Sequence, residues 1–420
     1  MRRKLASVAA VAILGLAAFQ PLQASAAPDQ TAKHNEVRVL VKQKDGVFTT
    51  QATDKVKQEH GVRNSFGNQG FTTEVSKKEL KELKANKALE VTEVSVYTKQ
   101  EVTKQRDVSA QAVSDRTPWG IQAIYNNPSI TRTSGGNNIN IAVLDTGTSV
   151  NHPDLAANVE QCIDFTQYNS GQVNGSCIDR DGHGTHVSGS ALANGGNGSG
   201  IYGVAPEADL WAYKVLGDDG RGYSDDIANA IQKAADEGAN RGERVIISMS
   251  LGGGQDSLIA SAVRYANSRG ALVVAATGNS GPYEGSINYP GGLSEAVGVA
   301  NLENRQQNGT YRVADSSSRG YSRTDGDYRI QQGDVEVSAP GSAILSTFPG
   351  NTYASLTGTS MATPHISGLA AKIWSENTSL SNSQVRQTLQ ARAQSNDILG
   401  GYGAARGDDY ASGFGFPLVQ

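Results

Sequence analysis

Cysteine, proline and long apolar runs are scarce in this sequence. The 420 residues include two cysteines and 12 prolines, against 48 glycines. With 38% hydrophobic residues, the composition fits a globular, loop-rich chain and excludes a disordered or collagen-like one. No repeat of fixed period is visible. The length allows two domains with extensions.

The one sizeable apolar run lies at the N-terminus. Residues 1–26 begin with basic residues, continue as an apolar stretch and close with Ala24-Ser25-Ala26. This layout predicts a secretory signal peptide. A membrane anchor is the alternative, but the run is short and is interrupted near Pro21. No later stretch is long enough to cross a bilayer, so we expect a secreted, extracellular protein without a membrane anchor.

In a secreted chain, the pair Cys162 and Cys177 predicts one disulfide, with two free buried thiols as the alternative. A bridge that closes a loop of this size contributes ~3 kcal/mol in the chain-entropy model. No cluster of Cys and His has the spacing of a zinc site.

Charge divides the rest of the chain into two parts. Residues 27–113 hold 15 Lys and Arg against 12 Asp and Glu, a net charge of +3. Residues 114–420 hold 19 against 29, a net charge of −10. This shift predicts two separate units whose charges attract each other. The acidic second unit argues against nucleic-acid binding, which requires a basic face.

The pattern of residues 34–100 predicts a small α+β domain with the order β-α-β-α-β. Its second helix begins at Ser76, and Glu79 completes a capping box. Its last strand extends over 89–102. Residues 104–116 are polar and weakly patterned, which predicts a linker and an accessible cleavage site.

From residue 117 onward, continuous apolar strands alternate with helices. We predict strands over 138–147, 208–216, 244–253 and 271–281, a helix over 224–240 capped by Ser224, and a helix over 255–270 ended by Gly270. This alternation predicts an α/β fold, a parallel sheet with helices on both faces. Active groups of such sheets lie at the carboxyl ends of the strands. The sequence places Asp145, Ser250 and Asn279 there.

Three motifs carry residues for hydrolytic chemistry. Asp145 ends a strand before a glycine turn, His183 lies in DGHGTHVSG, and Ser360 lies in GTSMATPH before a run of small residues. Each has an ordinary alternative: a turn residue, a structural histidine or a helix N-cap. Together they supply an orienting carboxylate, a base and a nucleophile. A helix of small residues can cross a packed interior and aim its N-terminal amides at the reacting group.

Other hydrolase classes fit these motifs less well. An aspartic protease needs a second Asp-Thr-Gly or Asp-Ser-Gly, which the sequence lacks. An α/β-hydrolase has the order Ser, Asp, His and a G-x-S-x-G elbow, whereas this chain has Asp, His, Ser and G-T-S-M-A. A zinc site in HGTH would need a third ligand.

With these motifs the chain resembles the subtilisin-like serine proteases, or subtilases. IAVLDTG, DGHGTHVSG and GTSMATPH match the three signatures of that family in its order. The segments GVAP (203–206), SMSLG (248–252), AATGNSG (275–281) and SAPG (338–341) match as well. The resemblance covers roughly residues 117–420. It is greatest to secreted Bacillus-type subtilisins with one disulfide and extra calcium sites, such as sphericase and the cold-adapted subtilisins.

The resemblance implies a catalytic triad of Asp145, His183 and Ser360. It also implies an oxyanion hole formed by the side-chain amide of Asn279 and the backbone N–H of Ser360. An extended peptide would lie between two backbone segments and be read mainly through its main chain, which gives broad specificity. The expected substrate-binding residues are Ser250, Leu251, Gly252, Gly220, Arg221, Gly222, Ala275, Ala276 and Thr277, the last three walling a roomy pocket.

The N-terminal domain resembles the subtilase propeptide, an intramolecular chaperone and temporary inhibitor. Its C-terminal part would lie in the active cleft until Ser360 cuts it somewhere in 104–116. An independent binding domain is the alternative.

The resemblance, the acidic balance and the extracellular setting also imply calcium, which prefers carboxylate and carbonyl oxygens. The candidate ligands are Asp115, Asp154, Asn197, Asp325, Asp327, Asp334, Asp408 and Asp409. For the last five, simple solvated charge is the alternative.

We therefore expect a monomeric, secreted serine endopeptidase made as a precursor, with a signal peptide (1–26), a propeptide (27–113) and a catalytic domain (114–420). Its partners would be polypeptide substrates and its own propeptide. An inactive subtilase fold that serves as a binding protein is disfavoured because the triad and Asn279 are all present. A lipase or esterase is disfavoured by the order of the motifs.

Overall fold

The structure is a computed structural model that describes residues 36–46, 49–100, 103–108, 116–168, 170–196, 198 and 200–420. These residues belong to one compact unit, Ala32–Gln420. The predicted signal peptide lies outside the described residues. Within the described ranges, no helix is long and apolar enough to cross a membrane.

The N-terminal domain is a three-stranded antiparallel sheet with two helices. Its elements are β1 (Glu36–Gln43), α1 (Gln51–His60), a 3-10 turn (Gly67–Gln69), β2 (Phe71–Ser76), α2 (Lys77–Ala85) and β3 (Leu89–Glu93), with β1 central. Alternate valines of β1, Val39 and Val41, enter a core with Phe71 and Leu80. The predicted capping box is present, because Ser76 and Glu79 each accept a bond from the other's backbone N–H.

The other elements are, in chain order, β4 (Val96–Lys99), β5 (Thr103–Val108), α3 (Trp119–Ile124), β6 (Ile139–Asp145), β7 (Val159–Asp164), β8 (Val173–Asn174), α4 (His183–Leu192), β9 (Asp209–Lys214), β10 (Arg221–Tyr223), α5 (Ser224–Arg241), β11 (Arg244–Met249), β12 (Leu251–Gly252), α6 (Ser257–Ser268), β13 (Leu272–Ala276), β14 (Val297–Gln307), β15 (Thr310–Val313), a 3-10 turn (Ser322–Thr324), β16 (Val337–Pro340), β17 (Ile344–Phe348), β18 (Thr352–Thr357), α7 (Thr359–Glu376) and α8 (Asn382–Gln394).

The central sheet has nine strands in the order β15-β14-β13-β11-β6-β9-β7-β8, with β16 also paired to β14. The predicted parallel arrangement is confirmed for its centre, whereas β14–β15 and β7–β8 are antiparallel. β6 is buried along its whole length, as expected for a strand covered on both faces. Its Ile141 and Val143 lie in the core that contains α4 and α7, and its Ala142 and Leu144 lie in the core that contains α5 and α6.

Several predicted element boundaries differ from the structure, and the start of the predicted linker 104–116 is part of a strand, β5, that pairs with β18. The strand expected over 89–102 is divided: β3 pairs with β1, whereas β4 leaves the N-terminal domain and pairs with β10 and β12. Tyr223, not Ser224, is the N-cap of α5, and Ser224 is its first helical residue. Gly270 follows the C-cap of α6, Arg269, and its φ of 90° suits glycine.

Helix α7 crosses the interior, as its small residues predict. Its residues from Thr359 to Trp374 are buried. A Cβ on Gly368 would lie 2.6 Å from the Cβ of Val204 and 2.7 Å from the carbonyl oxygen of Ala191, so only glycine lets α7 approach these neighbours. Near the far edge of the sheet, Cys162 and Cys177 form the predicted disulfide, with an S–S distance of 2.13 Å.

Candidate active site

The predicted catalytic residues lie at one edge of the sheet. β6, β11 and β13 are neighbours, so their carboxyl ends meet where Asp145, Ser250 and Asn279 lie. α7 begins at the same edge. The Ser360 hydroxyl donates to the Ser250 carbonyl at 3.2 Å, and the Ser250 hydroxyl donates to the Ser360 carbonyl at 2.8 Å. The first amide of α7, from Thr359, donates to Oδ1 of Asn279 at 2.9 Å.

His183, the first residue of α4, contacts Asp145 directly. Its Nδ1 lies 2.8 Å from Oδ1 of Asp145, and both side chains are buried. Because a carboxylate only accepts hydrogen bonds, Nδ1 carries the proton. Nε2 of His183 is buried and has no hydrogen-bond partner among the described residues. It is therefore the ring nitrogen that can take a proton.

A proline explains how Ser360 is held. Pro364 lies inside α7 and has no N–H to offer the carbonyl of Ser360 four residues earlier. That carbonyl accepts the hydroxyl of Ser250 instead. The hydrogen bond that Pro364 removes from the helix is therefore replaced by one between the Ser360 carbonyl and Ser250, which follows β11.

The side chain of Asn279 is oriented by Thr359. Both the N–H and, at 3.2 Å, the hydroxyl of Thr359 donate to its amide oxygen. With the oxygen engaged, the NH₂ group is the part of the Asn279 amide that can donate a hydrogen bond. Of the first three amides of α7, those of Thr359 and Met361 are bonded to Asn279 and to the Gly358 carbonyl, so the N–H of Ser360 is the further donor that the helix start can offer.

The two predicted substrate-binding segments lie on either side of β4. This strand pairs antiparallel with β10 on one side and with β12 on the other. Thr98 faces both Arg221 and Gly252, and the N–H of Lys99 donates to the Gly220 carbonyl at 2.8 Å. A strand of the same chain therefore occupies the place predicted for an extended peptide.

The side chains of the three predicted pocket residues are buried in the interior of the protein. Ala275 packs into the core on the α5–α6 face, Ala276 is fully buried, and the Thr277 hydroxyl donates to the Val299 carbonyl at 3.0 Å. A residue that sequence reasoning missed, Asn288, faces β4, and its amide donates to the side chain of Gln100 at 3.1 Å. No short motif around Asn288 marks it.

Sequence reasoning also missed Asp179. Its carboxylate accepts bonds from the Thr146 hydroxyl at 2.9 Å, from the Gly182 N–H at 2.8 Å and from the Thr185 hydroxyl at 2.6 Å. It thereby joins the turn after Asp145 to the first turn of α4, which fixes the approach of Asp145 to His183. An acidic residue shortly before the start of a helix is the signal that could have found it.

The two other histidines of the motifs are structural. Nε2 of His186 lies 2.9 Å from the Ile344 carbonyl oxygen, and Nδ1 of His365 lies 2.8 Å from that of Met361. Burial lowers the pKa of His186 to about 3 and the pKa of His365 to about 4, so both are neutral at pH 7.

One predicted calcium ligand, Asp154, has a buried carboxylate oxygen without a partner among the described residues. Oδ2 of Asp154 accepts bonds from the Ile201 N–H and the Tyr353 hydroxyl, both at 2.9 Å. Oδ1 is buried and has no partner among the described residues, and it lies where a Cβ on Gly196 or Gly200 would be. A buried anionic oxygen beside a glycine loop fits calcium. Asp115 and Asn197 lie outside the described residues.

The remaining acidic candidates differ among themselves. Burial, together with Asp327, Asp334 and Asp325, raises the pKa of Asp408 to about 6, and Arg323 opposes the corresponding rise in the pKa of Asp334. Asp409 instead accepts four bonds from the turn around it, from Ala405, Ala411 and Ser412, which is a structural role. Across the described ranges, no three His, Cys, Asp or Glu side chains form a group that could hold a metal. Calcium binding by these five residues stays a prediction.

Comparison with known proteins agrees with this geometry. The subtilase family matches residues 136–415. The chain is 60% identical over 367 residues to "Subtilisin" of Bacillus sp. (strain TA39), which covers 87% of each chain. It is 40% identical over 270 residues to "Thermitase" of Thermoactinomyces vulgaris, covering 64% of this chain and 86% of that one. The solved structure "Sphericase" has a TM-score of 0.72 and 65% identity, covering 73% of this chain and 99% of that one.

The fold and these comparisons define a protease of the subtilisin type. The chain belongs to the subtilase family, which confirms the resemblance seen in its motifs. It is a serine endopeptidase, a hydrolase that acts on peptide bonds.

Proposed function

We propose that the chain is the precursor of a secreted, calcium-dependent endopeptidase of broad specificity that processes itself. Asp145, His183 and Ser360 form its catalytic triad. The observation that carries this proposal is the 2.8 Å contact of His183 Nδ1 with Asp145 Oδ1 in a buried site, at the edge where α7 begins. Secretion rests on residues 1–26, and the inhibitory role of the N-terminal domain rests on the position of β4.

The geometry supports a two-step acyl transfer. The Ser360 hydroxyl attacks the substrate carbonyl while Nε2 of His183 takes its proton, and Asp145 stabilises the imidazolium. The amide of Asn279 and the N–H of Ser360 donate to the oxyanion of the tetrahedral intermediate. The imidazolium then protonates the leaving amine. Water hydrolyses the acyl-enzyme by the same proton path.

Broad specificity follows from the way β4 is held. β10 and β12 bind it through backbone groups, which every extended peptide presents. We expect polypeptide substrates of varied sequence, and a monomeric enzyme.

Calcium would be held by Asp154, and by Asp115 and Asn197 on the resemblance. When bound, the ion neutralises a buried carboxylate and ties its loops together. Asp154 itself already fixes Ile201 and Tyr353 through its other oxygen, so the same carboxylate couples the glycine loop to β18.

The test is labelling of the secreted protein with a fluorophosphonate, followed by intact-mass analysis. We expect one label, on Ser360, and hydrolysis of casein but not of a triglyceride. Ser360→Ala should accumulate as an unprocessed precursor, whereas Ser322→Ala, a change at an exposed serine, should mature normally. A Ser360→Ala protein that matures and hydrolyses casein would contradict the mechanism.

A further inference from the structure

We infer that the precursor first cuts itself directly after Gln100, upstream of the 104–116 segment, and that Asn288 recognises the Gln100 side chain. This inference rests on the proposed function. β4 is bound as a substrate would be: its N–H and carbonyl groups pair on both sides, and the Lys99 N–H donates to Gly220. Gln100 is the next residue.

A shared acceptor places Gln100 beside the nucleophile. The carbonyl of Ser250 accepts the Ser360 hydroxyl at 3.2 Å and the Gln100 N–H at 3.5 Å. Because the Gln100 N–H and the Ser360 hydroxyl share this acceptor, we place the carbonyl that Ser360 attacks at Gln100. Every residue of β4 further upstream is already paired with β10 or β12.

The side chain of Gln100 is enclosed. It is 5% exposed, and its Oε1 accepts the amide of Asn288 at 3.1 Å. A Cβ on Gly252 would collide with its Nε2, and Asn288 itself packs on Gly278. The NH₂ group of Asn288 donates to Oε1 of Gln100, whereas Nε2 of Gln100 has no partner among the described residues. The pocket thus favours a side chain that can accept a hydrogen bond.

The chain after the cut lies on the other side of Ser360. β5 pairs antiparallel with β18, with Thr103 opposite Thr357, and β18 ends just before α7. β4 therefore holds the segment that would become the acyl group, and β5 holds the segment that would leave with the new amine. A first cut within 104–116 would require both strands to be released, which makes it a later event.

The step balances as an ordinary acyl transfer. A bond forms between Ser360 Oγ and the carbonyl carbon of Gln100, and the bond from that carbon to the nitrogen of Glu101 breaks. The serine proton passes through His183 to this nitrogen. Water then converts the ester to the carboxylate of Gln100 and restores the hydroxyl.

Terminal mapping of the self-processing precursor tests the inference. Samples of the full secreted chain, quenched with acid over time, should yield a first N-terminal fragment that ends at Gln100. Glu101→Pro, which replaces the leaving amide by a tertiary one, should abolish that fragment, whereas Glu101→Ala should retain it. Asn288→Leu should slow its formation relative to the parent.

The outcomes separate the two proposals. If Ser360 is labelled and casein is hydrolysed but the first fragment ends within 104–116, the assignment to Gln100 is overturned and the proposed function stands. If neither labelling nor hydrolysis occurs, both fail. If Glu101→Pro does not fold, the C-terminus of the first fragment from the unsubstituted precursor still decides whether the cut follows Gln100.

Discussion

Replacement of Arg38 should weaken the contact between the N-terminal domain and α5. Arg38 is 7% exposed, and its guanidinium lies 3.2 Å from Asp225 and 2.7 Å from Asp226 in the first turn of α5. Arg63 supplies the second cation, 2.9 Å from Asp226. Arg38→Met keeps the apolar stem but leaves two buried carboxylates with one cation.

Removal of one partner from a buried ion pair costs ~3–5 kcal/mol. We expect the free energy of unfolding of the Ser360→Ala precursor, measured in urea by circular dichroism, to fall by about that amount with Arg38→Met. Lys55→Met, which removes an exposed pair with Glu59, is the control and should change it by less than about 0.5 kcal/mol. Asp226→Asn should restore part of the loss in the Arg38→Met background. A loss no larger than the control's would refute the reasoning.

The same contact predicts a pH dependence. Burial and the neighbouring Asp225 raise the pKa of Asp226 from 3.8 to about 6, although Arg38 and Arg63 oppose this. The folded precursor therefore holds more protons on Asp226 than the unfolded chain between these values. The stability that protonation of Asp226 contributes to the folded precursor is complete below pH 3.8 and is lost as the pH rises through about 6. A pH series of the unfolding free energy should show this decline in the Ser360→Ala precursor and lack it after Asp226→Asn; identical profiles would contradict the assignment.

Three further changes probe the site and its support. Asn279→Leu should lower kcat by roughly 10²–10³-fold with little change in KM, a magnitude taken from a subtilisin and so from the same family; an unchanged kcat would exclude the oxyanion role. Asp154→Asn should remove the rise in melting temperature that calcium gives the parent, and a full rise in the variant would place the ion elsewhere. Gly368→Ala should destabilise by about 1–3 kcal/mol in thermal unfolding through overpacking against Val204, whereas Gly254→Ala, with open space at its Cβ, should not.

The central sheet and the residues of the proposed triad could be predicted from the sequence because each is marked by a short continuous pattern. β6 is a continuous apolar strand that ends at Asp145, and α7 is a run of small residues after Ser360. The bond between Ser250 and the carbonyl freed by Pro364 was not accessible, because it joins residues 110 positions apart.

The pairing partners of β4 also could not be predicted from local sequence patterns. Residues 89–102 alternate like one strand, and only the packed structure shows that the first half pairs with β1 and the second with β10 and β12. Asp179 was missed for a related reason, since its partners come from the turn after β6 as well as from α4. Its position shortly before α4 is a local signal, but its bond to Thr146 after β6 is not.

The sheet formed by β10, β4 and β12 has a further consequence if β4 is released as proposed. Two bare strand edges would then face each other across two strand spacings, about 9–10 Å. Bare edges ordinarily recruit edges of other molecules and lead to aggregation. A slot as wide as one backbone would admit a single extended chain but not the sheet of a neighbouring molecule, so under the proposed function these edges would bind a peptide without leading to aggregation.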